Sequence, residues 1–204
     1  MATVEGIYKQ SPAETDFFKG YGQNLSGLIS RLDLNAVLAV AERFEEASSK
    51  GQTIFFAGNG GSAATASHFV QDLGEIVRKA GGKPFRALSL NDHAAALTAI
   101  SNDYDYSQVF SLQMANHFQA GDVLVVISAS GNSPNVVKAA ELAKERKGTA
   151  IGLVGFDGGR LAEICDIVVC VKTEKGEYGP VEDVHMVLDH MITSYLVLKK
   201  RHRP

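Results

Sequence analysis

The chain has little cysteine, no surplus of basic charge and no long apolar run, and each absence narrows what it can be. Its 204 residues include two cysteines, Cys165 and Cys170. Both lie in the apolar run 164–171, and their odd spacing would point them to opposite faces of a strand. They cannot bridge each other there and form no CxxC pair, so they read as buried thiols of a reducing compartment. The formal net charge is −3. No basic face is available for a nucleic-acid backbone, and no nucleic-acid partner is expected. The single basic run, Lys199-Lys200-Arg201-His202-Arg203, reads as a solvated helix end that complements the helix dipole. No apolar run approaches the roughly 20 residues of a membrane span. The first residues lack the basic-then-apolar pattern of a signal peptide. A cytoplasmic protein without membrane association is expected.

What is present is ordinary for a globular chain, with 45% hydrophobic and 21% charged residues. The length suits one domain, 1–204, with a well-buried core. Residues 1–12 show no periodicity and are expected to form a loose arm. Within 13–50, apolar residues recur at helical spacing over 14–31 (Phe17, Phe18, Tyr21, Leu25, Leu28) and again over 34–49 (Val37, Leu38, Ala41, Phe44). These are two leading helices, the second stopped by Gly51. From 52 to 200 apolar runs alternate with helical patterns. Strands are expected at 53–56, 85–90, 122–127, 149–154 and 166–171. Helices are expected from about 62 to 78, 94 to 100, 107 to 118, 134 to 146, 158 to 163 and 181 to 199, with a loop at 173–180. Strands apolar along their whole length belong to a parallel sheet covered on both faces. The expected fold is α/β, a doubly wound sheet of five parallel strands with two N-terminal helices outside it.

Two loops carry the chemistry. Gly58-Asn59-Gly60-Gly61-Ser62 and Ser128-Ala129-Ser130-Gly131-Asn132-Ser133 each follow a buried strand and open a helix. Glycine lets backbone approach a ligand closely, the first helical N–H groups lack partners, and serine hydroxyls add donors without bulk. This context predicts a phosphate site at the strand ends. Neither loop has the lysine of a P-loop. The run from Gly58 to Ala63 matches a dinucleotide fingerprint, but no acidic residue closes the next strand at the required distance, so no nucleotide cofactor is expected. The candidates to hold a phosphorylated small molecule are Asn59, Gly60, Gly61, Ser62, Ser128, Ser130 and Ser133. Asp92 and His93 close the second strand, and Asp92 is counted among the substrate-binding residues.

His68 and Asp72 share a helix face one turn or so beyond the first loop. Glu182, Met186 and His190 form a stripe on the last helix. Two histidines and two carboxylates suit a divalent metal such as zinc, and equally a general acid and base. His185 lies round the helix from His190 and is expected to be structural or exposed. His117 and His202 are expected to be incidental.

Taken together these segments resemble the SIS (sugar isomerase) domain family, and within it the phosphoheptose isomerases. The resemblance spans nearly the whole chain. It rests on Ala57–Ser62 and Ser128–Val136 with Ser67-His68-Phe69, the run from Thr98 to Tyr104, Gly121-Asp122-Val123-Leu124 and Gly155-Phe156-Asp157-Gly158-Gly159. It implies a flavodoxin-like fold, a homotetramer with active sites between subunits, and isomerisation of sedoheptulose 7-phosphate to D-glycero-D-manno-heptose 7-phosphate. It implies zinc held by His68, Asp72, Glu182 and His190, phosphate held by Ser62, Ser128, Ser130 and Ser133, Glu182 also near substrate, and Asp72 and His190 as catalytic base and acid. Four positions depart from the family pattern. Asp72 stands for Glu, Glu182 for Gln, Ala129 for Thr, and Gly179-Pro180 for Asp-Arg. These departures keep two alternatives open: a non-catalytic phosphosugar-binding or regulatory protein, and an isomerase of another sugar phosphate.

Overall fold

In a computed structural model, described here for residues 2–202, the chain folds around a five-stranded sheet of order β2-β1-β3-β4-β5. The strands are β1 (Thr53–Gly58), β2 (Arg86–Ser89), β3 (Val123–Ser128), β4 (Thr149–Gly155) and β5 (Ile167–Val171). Every pairing is parallel, with Ile54 level with Val123 and Val123 level with Thr149. This is the flavodoxin-like order, in which the chain winds one way from β1 to β2 and the other way from β3 onwards. Strands β1 and β3 flank the reversal.

The alternation of side chains along each strand divides the core between two faces. Ile54, Phe56, Val123, Val125 and Ile127 face α2 (Glu14–Ser30), α3 (Leu34–Lys50), α4 (Gly61–Ala80) and α9 (Tyr178–His202), where Phe44, Phe69, Leu73, Val184, Leu188 and Ile192 are buried. Phe55, Ala57, Leu124 and Val126 face α5 (Ala94–Asp103), α6 (Ser111–His117), α7 (Pro134–Glu145) and α8 (Gly159–Ile164). Strands β1, β3 and β4 read as continuous apolar runs because both faces are covered, whereas edge strand β2 exposes Arg86 and Leu88. On the first face Phe56 stacks on Phe69, with ring centres 5.2 Å apart, and Phe44 meets both edge-on. Strand β1 and helix α4 are thereby fixed against each other, which sets where the loop between them points.

The two leading helices form as their pattern requires. Asp33 caps α3 by accepting from the N–H groups of Asn35 and Ala36, and Gly51 ends it at φ +68°. The segment expected to be a loose arm instead carries a six-residue helix, α1 (Val4–Lys9). Six residues are too few to show a period. The helix is held by the Thr3 cap on Gly6 N–H and by a tie from Val4 N–H to the Glu177 carboxylate at 2.8 Å. The helix expected over 107–118 is split into a 3-10 turn at Tyr106–Gln108 and α6, around fully buried Val109 and Phe110. The last helix begins three residues early, because Pro180 falls in its first turn, where its missing N–H costs no bond. Met1, Arg203 and Pro204, the outer ends of the expected arm and basic run, lie outside the described residues. Among the described residues no helix is long and apolar enough to cross a membrane.

Candidate active site

The two Ser/Gly loops meet at the carboxyl ends of β1 and β3, on either side of the topological reversal. Gly60 takes φ +56° and Gly131 φ +63°, left-handed conformations that turn each strand sharply into its helix. Between them lies a small polar cavity of about 150 Å³, lined by Asn59, Ser62, Ser128, Ala129, Ser130, Ser133, Tyr178 and Glu182. It is bounded by the start of α4 and the start of α7, whose first N–H groups favour an anion. The Ser133 hydroxyl makes no capping bond to its own helix. Ser62 and Ser128 are buried, and Ser130 is half-buried. The expected phosphate-binding serines are thus brought together.

Asn59 does something the sequence did not suggest. Its side-chain amide forms a reciprocal pair with buried Asn135 on α7, at 2.9 and 2.8 Å. Its carbonyl oxygen also accepts from the Tyr106 hydroxyl at 2.9 Å. A second reciprocal pair joins Asn91, just after β2, to the backbone of Gly58 at 3.1 and 2.8 Å. These bonds tie the first loop to β2 and α7.

The acid–base residues form a separate group on the same side. His68 and Asp72 on α4, with Asp189 and His190 on α9, each offer one ligand atom within 4.8 Å of the others. The rings of His68 and His190 stand edge to face with centres 5.1 Å apart. His68 Nδ1 lies 2.6 Å from an Asp189 oxygen, Oδ2. Asp189 is fully buried, and its other oxygen, Oδ1, has no hydrogen-bond partner. The hydrogen bond to Asp189 raises the pKa of His68. Burial pushes Asp189 up to about 6, while the hydrogen bond from His68 pulls it down. From the start of α4 to His68 the helix rises about 10 Å, the scale of an extended sugar chain.

Glu182 is placed elsewhere. Its carboxylate lies over Gly61 and lines the serine cavity, and a Cβ at Gly61 would collide with it. Asp189, not Glu182, completes the four-residue group. Asp92 is exposed and accepts from the Ser67 hydroxyl at 2.5 Å, on the β2 side of α4, outside the lining of the serine cavity. His93 precedes α5 without a side-chain capping bond and lines a different, more apolar cavity of about 570 Å³ with Leu88, Tyr104 and His117. His185 is fully buried, its Nε2 3.2 Å from the Val154 carbonyl oxygen, and burial pushes it down to about 4.

The group around His68 fits a divalent metal. Two imidazoles and two carboxylates are converged, and one buried carboxylate oxygen lacks a partner. Asp189 and Asn135 are the residues around the candidate site that sequence reasoning missed. The signal for Asp189 was its place on the buried stripe of α9 that includes Val181, Val184, Leu188 and Ile192, where a carboxylate needs a reason.

With this geometry in view, comparison with known proteins is direct. The SIS domain profile matches residues 17–155. A phosphoheptose isomerase of Rhodospirillum rubrum is 40% identical over 143 residues, 70% of this chain and 74% of that protein. One of Aneurinibacillus thermoaerophilus is 39% identical over 163 residues, 78% and 79% of the two chains. A solved phosphoheptose isomerase from Neisseria gonorrhoeae superposes with a TM-score of 0.78 at 32% identity, covering 88% of this chain and 94% of that one. The chain belongs to the SIS domain family, in the branch of the phosphoheptose isomerases.

Proposed function

We propose that this chain is an aldose–ketose isomerase that converts sedoheptulose 7-phosphate to D-glycero-D-manno-heptose 7-phosphate. The observation that carries the reading is that one helix, α4, begins at the serine cavity and presents His68 about two turns and Asp72 about three turns further on. A sugar held by its phosphate at the helix start would extend towards the His/carboxylate group.

In this reading Ser62, Ser128, Ser130 and Ser133, with the backbone of Gly60 and Gly61, bind the phosphate, and Asn59 keeps their loop in place. Asp72 takes the proton from C1. The C1–H electron pair becomes the C1–C2 double bond of an enediol, and the ketone oxygen takes a proton from His190. The reverse transfers then place the Asp72 proton on C2 and remove the proton from O1, leaving the aldehyde. His68, Asp72 and His190 would hold a zinc ion; when bound, it would supply polarisation of the carbonyl in place of the His190 proton. The working assembly is a cytoplasmic homotetramer with sites between subunits. Exposed aromatic residues on α2 and α9, Phe18 and Tyr195, support burial of those faces against other copies.

Mixing the purified protein with sedoheptulose 7-phosphate, with and without zinc, and following the sugar by NMR tests the reading. The aldose C1 resonance should appear. No aldose under either condition refutes it. Asp72→Asn should lower turnover by about 100-fold or more. A panel of other sugar phosphates tests whether Ala129, which lacks a hydroxyl donor, has shifted the preference.

A further inference from the structure

We infer that Asp189 is a positioning residue for His68, fixing its tautomer and ring orientation so that Nε2 faces the reacting centre. Asp189 has no exposed surface, and its Oδ2 lies 2.6 Å from His68 Nδ1. An ionised carboxylate only accepts, so the ring must donate through Nδ1–H. The neutral imidazole then carries its lone pair on Nε2, which has no hydrogen-bond partner among the described residues.

A purely structural role is a poor account of this residue. The surrounding positions of α9 on the same side, Val184, Leu188 and Ile192, are buried hydrocarbon. A leucine would serve that core better than a carboxylate, which must be desolvated and here gains a single side-chain bond. Asp189 also sits next to His190 in the chain, so the helix that supplies one imidazole holds the other. The bond joins residues 121 positions apart and ties α9 to α4 at the group itself. A carboxylate behind a histidine is the arrangement that orients metal-ligating imidazoles and raises their basicity.

The tautomer claim stands on this geometry alone, and only its consequence for zinc rests on the metal-assisted reading. In metal-free protein, imidazole 15N NMR, assigned by the loss of signals in His68→Gln, should show neutral His68 protonated at Nδ1 with a downfield proton. That proton should shift upfield in Asp189→Asn and vanish in Asp189→Ala. An Nε2–H tautomer in the wild type overturns the inference without any variant having to fold. In the second arm, chelator competition should show zinc affinity about 10–100-fold weaker in Asp189→Asn and Asp189→Ala. Unchanged affinity overturns the positioning role. A loss in Asp189→Asn as large as in His68→Gln overturns it in favour of direct ligation. Wild-type protein that binds no zinc counts against the metal-assisted reading, and the tautomer then decides the role of Asp189.

Discussion

His185 shows what burial does to a single residue. It is enclosed in the core with one hydrogen bond and is held neutral, its pKa pushed down to about 4. The unfolded chain takes up this proton near 6.5, the folded one only near 4. The stability that His185 permits is therefore complete above pH 6.5 and is lost as pH falls towards 4, by up to about 3 kcal/mol. Urea melts at stepped pH should show this loss, and His185→Leu should lessen the fall over that window. Gly131 makes the opposite kind of demand. At φ +63°, with a Cβ that would collide with the Gly158 carbonyl oxygen, Gly131→Ala should cost about 2 kcal/mol or more in the same melts. The need for these loop glycines was legible in the sequence, because a strand running straight into a Ser/Gly helix start implies a left-handed turn. The partner of His68 was not. Asp189 lies on a different helix, and nothing local says which of two helices packed at a given rotation will bring it to Nδ1.

At the scale of elements, the alternation of apolar runs and helical patterns specified all five strands and most helices. Parallel strands buried on both faces leave little ambiguity. What escaped was short or depended on distant contacts: six-residue α1, the break at Val109 and Phe110, and the early start of α9. The serine cavity followed the same division. Its loops were legible, but the Asn59–Asn135 pair that ties β1's loop to α7 was not, since it depends on register across the sheet reversal. Asn135 is 2% exposed, and Asn135→Ala leaves the Asn59 side-chain NH2 without its acceptor, which should cost about 1–3 kcal/mol. Because the pair ties the first serine-cavity loop to α7, the same variant should weaken phosphosugar binding more than it slows turnover at saturation. Steady-state kinetics that show the reverse would detach this pair from the binding loop.

For the whole molecule, the first helix is joined to the start of the last through Val4 and Glu177, 173 positions apart. Tyr21 adds a second tie, its hydroxyl donating to Asp183 at 2.6 Å. Removing residues 2–12 should lower the melting temperature by about 2–4 °C for each kcal/mol lost. It should leave the sheet intact, which circular dichroism would show. The division of the His/carboxylate group between α4 and α9 has a consequence for biosynthesis. His68 and Asp72 leave the ribosome early, while Asp189 and His190 wait for the closing 25-residue helix. Until then α4 stands with its core-facing Phe69 and Leu73 uncovered on the α9 side, and the contacts that would cover them span more than a hundred positions. A message truncated between α4 and α9 therefore yields half of the group and an open apolar wall, a chain destined for the quality-control proteases and not for reduced activity.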